Sequence, residues 1–173
     1  TQLFQEQIAM SRADEFIEAN QQYASQFTQG DLPMPPGRQV AVVACMDALL
    51  DVYRLLGLGL GEAHVIRNAG GVVTDDVVRS LLISQRLLGT TEIVLIHHTD
   101  CGMLTFKDDA VKADIEEETG HRPAFALDAF DDPHADVRQS IRRLKAVPYL
   151  PNREAISGFV YNVGNGTLEP VSE

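Results

Sequence analysis

The sequence predicts an α/β domain with a mainly parallel β-sheet flanked by helices. Three observations lead there: short continuous runs of β-branched and small apolar residues, amphipathic stretches that alternate with them, and a length of 173 residues, which one hydrophobic core can serve. The runs are residues 40–45, 64–66 and 92–97. Apolar side chains at successive positions, rather than at every second one, read as strands buried on both faces.

Residues 10–27 come first and read as an amphipathic helix, because Phe16, Ile17, Tyr23 and Phe27 form a thin apolar stripe among Glu, Asn and Gln. Residues 32–37 contain Pro33, Pro35 and Pro36, which remove backbone donors and bias their neighbours to extended conformations, so they form a linker. The domain is thus expected as a helical arm over 1–31 ahead of an α/β core over 32–173. An apolar stripe cut off from the core by a proline-rich linker needs another surface, and a partner subunit in an isologous dimer is the expected one.

Within the core, Thr74 is placed to cap a helix with Asp75 and Asp76 in its first turn, an apolar face of Val77, Val78, Leu81, Leu82, Leu87 and Leu88, and a stop at Gly89. The acidic stretch 107–132 is expected to hold one short helix and a surface loop, residues 136–147 a further helix, and residues 156–163 a late strand at an edge. Gly57, Gly59 and Gly61 lack the spacing of a phosphate loop and precede a strand, so they read as a helix-to-strand turn. Asn165-Gly166 reads as a hairpin turn.

A net charge of −11 and a pI near 4.8 oppose binding to nucleic acid or to an anionic membrane, and are compatible with a small neutral substrate. No apolar run approaches the roughly 20 residues needed to cross a bilayer, and no signal-peptide pattern opens the chain, so a cytoplasmic location is expected.

Two segments carry chemistry, each following a predicted strand: residues 44–51, with Cys45 and Asp47, and residues 97–102, with His98, Cys101 and Gly102. Ligand sites of open parallel sheets collect beyond the carboxyl ends of strands, so both cysteines point to one location. Thiolate and imidazole are preferred zinc ligands, and three of them leave a fourth position for water or substrate. A Cys45–Cys101 disulfide, or plain buried thiols beside a core histidine, remain rival readings of the same residues. His97 alternates away from His98 and reads as a hydrogen-bonded core residue, while His134 is at most a surface proton shuttle. Gly70 and Gly71 allow close backbone approach to a substrate or metal, or form an ordinary tight turn.

These segments resemble the paired signature of the β-carbonic anhydrases, C-x-D-x-R followed some fifty residues later by H-x-x-C, and residues 61–71 and the stretch through Phe106 resemble the small bacterial branch of that family. The resemblance implies zinc held by Cys45, His98 and Cys101, Asp47 as the catalytic aspartate, a substrate pocket at Gly70, Gly71 and Gly102, reversible hydration of carbon dioxide to bicarbonate, and a homodimer or higher oligomer. Hydrolysis of carbonyl sulfide or carbon disulfide on the same site is the close alternative. One position departs from the signature: Leu49 stands where the family has the arginine that pairs with the aspartate. Asp47 is then expected as a fourth ligand in a closed, weakly active site, which also admits a zinc-binding bicarbonate sensor or assembly subunit. Arg67 is the cation best placed to take over the pairing.

Overall fold

The computed structural model describes residues 11–172, and the chain divides into two units that meet in sequence at Leu32 and Pro33. The first contains helix α1 (Arg12–Ser25), two residues shorter at each end than its sequence pattern; Met10 lies outside the described residues. Ser11 caps α1 reciprocally with Asp14: its hydroxyl accepts from the Asp14 N–H, and its own N–H donates to the Asp14 carboxylate. No residue of α1 is buried, and Phe16, Ile17 and Tyr23 of the apolar stripe are exposed.

The second unit is built on strands β1 (Val40–Cys45), β2 (Ala63–Asn68), β3 (Glu92–His98), β4 (Ile156–Tyr161) and β5 (Leu168–Pro170), in the order β2-β1-β3-β4-β5. The first four are parallel, and β5 returns antiparallel to β4 through a turn in which Gly166 takes a left-handed conformation. Helices α2 (Val52–Leu56), α3 (Asp75–Leu88), α4 (Asp108–Thr119) and α5 (Pro133–Lys145) fill the connections. The central strands β1 and β3 are buried on both faces, as their uninterrupted apolar sequence requires. Ala41, Val43 and Leu95 pack with α3 and α5 on one face; Val42, Ala44 and Ile96 pack with Cys101, Met103 and Phe130 on the other. The lack of a side chain at Gly158 admits α5, since a Cβ there would collide with Val137.

The α3 boundaries match the cap signals: the Thr74 hydroxyl accepts from the Val77 N–H, and Gly89 closes the helix left-handed. Four expectations change. The strand at 64–66 is an edge strand, half-buried along most of its length, because only β1 pairs with it. The late strand at 156–163 is interior, because β5, a three-residue strand, covers its far side. Leu87 faces solvent, and Ser84 and Gln85 take the buried face of the last α3 turns instead. The helix read from residue 136 begins at Pro133, where Asp132 caps it and proline occupies the first turn.

Among the described residues no helix is long and apolar enough to cross a membrane. The chain leaves β1 toward β2 and leaves β3 toward β4, on opposite sides. The loops beyond β1 and β3 therefore part and leave a crevice at their carboxyl ends.

Candidate metal centre

Cys45 is the last residue of β1 and His98 the last of β3, so the strand pairing alone sets them at the mouth of the crevice. Thr99 and Asp100 then turn the chain: the Thr99 N–H extends the β3–β4 ladder by donating to the Tyr161 carbonyl at 2.9 Å, and Asp100 adopts φ 55°. That turn brings Cys101 back toward Cys45. The two thiols are free and stand 4.0 Å apart, and Cys45, His98 and Cys101 each offer a ligand atom within 4.8 Å of the others, all three residues being buried.

The imidazole of His98 is already oriented. Its Nδ1 lies 2.8 Å from the Thr99 carbonyl, which can only accept, so Nδ1 carries the proton and Nε2 keeps its lone pair. Nε2 is buried without a hydrogen-bond partner, a costly arrangement unless something else takes the lone pair. Two other buried polar atoms share that condition among the described residues, Asn68 Oδ1 and His97 Nδ1, but neither residue belongs to the thiol cluster.

The thiols differ in electrostatics. Burial pushes Cys45 up, but the neighbouring His98 and the backbone N–H groups of Asp47 and Gly70 outweigh it and leave the thiol below its ordinary value. Burial lowers His98 and Cys45 raises it, with a net rise. Burial dominates at Cys101, pushed up to about 11. Two thiols about 4 Å apart match one edge of a tetrahedron with metal–sulfur bonds of about 2.3 Å, and zinc takes just this donor set. The residues therefore fit zinc, with binding coupled to proton release from the thiols.

Asp47 stands at the rim, outside the three-ligand cluster. Its Oδ1 accepts from the Leu49 N–H at 2.8 Å, and its Oδ2 lies 3.9 Å from His98 Nε2. Leu49 is 72% exposed, and its side chain has no donor or charge to offer the carboxylate. Arg67 reaches this segment but does not take over the pairing: it donates to the backbone carbonyls of Cys45 and Asp47.

A cavity of about 290 Å³ opens beside the cluster. Gly70 and Gly102 line it, together with Met46, Ala69, Met103 and Phe106, which the residue-by-residue reading did not single out although Met103 and Phe106 closely follow the H-x-x-C segment. Gly71 does not line it: a Cβ there would lie 2.7 Å from the Cys45 amide nitrogen, so its role is to let the 69–71 turn abut the end of β1. A larger cavity, about 360 Å³, lies between Phe130 and α5, but three of its four carboxylates are engaged within the fold: Asp132 caps α5, Asp131 pairs with Lys107, and Asp136 binds His97 at 2.7 Å. His97 itself is fully buried and stacked on Phe130, as a core residue should be.

A carbonic anhydrase family model matches residues 40–168. Beta-carbonic anhydrase 1 of Mycobacterium tuberculosis is 56% identical over 163 residues, which cover 94% of this chain and 99% of that protein. The crystal structure of carbonic anhydrase from Streptococcus mutans superposes with a TM-score of 0.89 at 43% identity, covering 95% of this chain and all of that one. A carbon disulfide hydrolase of Acidithiobacillus thiooxidans is 33% identical over 157 residues, 79% of each chain.

Proposed function

The chain belongs to the β-carbonic anhydrase family of zinc lyases, which hydrate carbon dioxide reversibly, and from that premise we propose that Cys45, His98 and Cys101 hold the zinc and that Asp47 is the catalytic carboxylate. The observation that carries the assignment is the buried lone pair of His98 Nε2, left without a partner beside two thiols. When bound, zinc supplies Lewis acidity and acidifies water at its open position.

The chain's own groups do the rest. Thr99 holds the His98 tautomer, and the N–H groups of Asp47 and Gly70 stabilise the Cys45 sulfur as a thiolate. Met46, Ala69, Met103 and Phe106 give the cavity apolar walls, suited to a small molecule with no net dipole. The Leu49 N–H fixes one oxygen of Asp47, and the other is left to accept the O–H of the attacking water and orient its lone pair toward carbon.

Leu49 bears on how well this works. Without the family's arginine, Asp47 is a carboxylate with no cationic side chain bonded to it among the described residues, next to a site for a divalent cation. With zinc bound, Asp47 would be a candidate fourth ligand, and its ligation would close the site and slow hydration near neutral pH. A weakly active zinc protein that senses bicarbonate is the second reading, and Leu49 is the feature that favours it.

Carbon dioxide is preferred over carbon disulfide as substrate because the carbon disulfide hydrolase is the more distant relative, 33% against 56% identical. A homodimer with α1 against the second subunit and a cytoplasmic location, where both thiols stay reduced, complete the proposal. Stopped-flow hydration by zinc-loaded protein tests it: measurable turnover, lost together with bound zinc in Cys101→Ser, is expected. Turnover that persists without zinc would overturn the assignment.

A further inference from the structure

We propose that Arg67 is a positioning residue of the metal centre, holding the strand-end segment that carries both a thiol ligand and the catalytic carboxylate. Arg67 lies on β2, in register with Ala44 of β1. The ladder between these strands runs one bond past β1, from the Met46 N–H to the Asn68 carbonyl at 2.7 Å. Beyond that, a single guanidinium takes over: Nε donates to the Cys45 carbonyl at 2.9 Å and Nη2 to the Asp47 carbonyl at 2.6 Å. Two bonds from one planar group to two carbonyls fix the 45–46 and 47–48 peptide planes relative to each other, on either side of the Met46–Asp47 peptide, which a flexible ammonium with a point charge does less well.

The start of the segment is also held by backbone. The 69–71 turn abuts it so closely that a Cβ on Gly71 would lie 2.7 Å from the Cys45 nitrogen and 2.9 Å from the Ala44 carbonyl carbon. The main chain is thus restrained at Cys45 by the turn and by Arg67, and at Asp47 by Arg67. Arg67 touches neither the sulfur nor the carboxylate, so its effect is on placement. Arg67 is an exposed residue, outside both hydrophobic clusters of the core. Groups that orient metal ligands typically change metal affinity by about 10–100-fold when removed, and solvent around Arg67 puts it at the lower end, about tenfold.

The inference rests on zinc being held by Cys45, His98 and Cys101, and the test separates the two. Arg67→Gln, Arg67→Lys and, as a control, Arg79→Gln, which removes an exposed arginine of α3, are compared with the parent by zinc competition against a chromophoric chelator, by cobalt(II) absorption of the loaded proteins, and by thermal melting of the metal-free proteins. Arg67→Gln should bind zinc about tenfold more weakly and shift the thiolate-to-cobalt band. Arg67→Lys should recover part of the loss, Arg79→Gln should match the parent, and melting temperatures should stay together. Parental affinity with a parental cobalt spectrum in Arg67→Gln would overturn the inference, as would a loss that simply tracks melting temperature and is no smaller in Arg67→Lys. Should Arg67→Gln fail to fold, Arg67→Lys decides alone, and parental affinity and spectrum there overturn it. A parent that binds neither zinc nor cobalt would sink the metal assignment instead.

Discussion

Returning a guanidinium to position 49, in Leu49→Arg, is expected to raise carbon dioxide hydration near neutral pH about tenfold. The magnitude comes from the surroundings of Asp47. Its Oδ2 lies 3.9 Å from His98 Nε2, while an oxygen and a nitrogen sharing a tetrahedral zinc with bonds of about 2.0–2.1 Å sit about 3.3 Å apart. The carboxylate is therefore within reach of the metal after a small side-chain movement, and what decides its position is the alternative partner on offer. In the parent that partner is one backbone N–H, from Leu49. A charge-assisted bond to arginine contributes about 1.5–3 kcal/mol where it is well formed. Asp47 is 29% exposed on its side chain and Leu49 is 72% exposed, so solvent screening brings the figure to the low end, about 1.4 kcal/mol, or tenfold in the balance between free and metal-bound carboxylate. Leu49→Lys should recover less, because an ammonium has no planar fork to match a carboxylate. Stopped-flow measurements with a pH indicator, on parent and variants at equal zinc content, give the answer. A parent as fast as Leu49→Arg would mean that Asp47 is kept off the metal by something else, and the closed-site reasoning would have to be abandoned.

Two further outcomes concern the framework. Asp108, the first residue of α4, accepts the N–H groups of Leu127, Asp128 and Ala129 at 2.7, 3.1 and 2.9 Å, and these bonds, Ala129 foremost, hold its carboxyl below the ordinary value. A depressed folded-state value contributes stability above the unfolded pKa of about 3.9 and loses it as pH falls through the folded one. Asp108→Asn should therefore cost about 1 kcal/mol at neutral pH after allowance for solvent, with the difference from the parent closing below about pH 4; melts that differ equally from pH 3 to 7 would contradict this. Gly71→Ala should destabilise the protein by at least about 1–3 kcal/mol and weaken zinc binding, since φ is +68° and the new methyl meets the Cys45 backbone. An unchanged denaturation midpoint in that variant would count against the close approach.

The cluster of Cys45, His98 and Cys101 was legible because strand ends, thiols and an imidazole leave marks in the sequence, and the interior strands β1 and β3 because burial on both faces demands unbroken apolar runs. The edge position of β2 was not, since His64-Val65-Ile66 looks the same whether one neighbour or two pair with it. Helix α2 was implied only by the helix-to-strand turn read at Gly57 and was given no bounds, because five residues are too few to show a period, although Asp51 and Gly57 cap it at either end. Strand β5 escaped because three residues ending in proline do not look like a strand, even with the Asn165-Gly166 turn ahead of them. Arg67 was singled out as a possible partner for the Asp47 carboxylate and proved to hold main-chain carbonyls, which every residue carries and no sequence pattern marks.

Zinc K-edge X-ray absorption of the purified, zinc-loaded protein tests the assignment of Cys45, His98 and Cys101 most directly. One zinc per chain is expected, with two sulfur neighbours at about 2.3 Å and two lighter neighbours at about 2.0–2.1 Å, one of them with the outer-shell scattering of an imidazole. A site with only nitrogen and oxygen neighbours, or a protein that takes up no zinc with both thiols reduced, would contradict it.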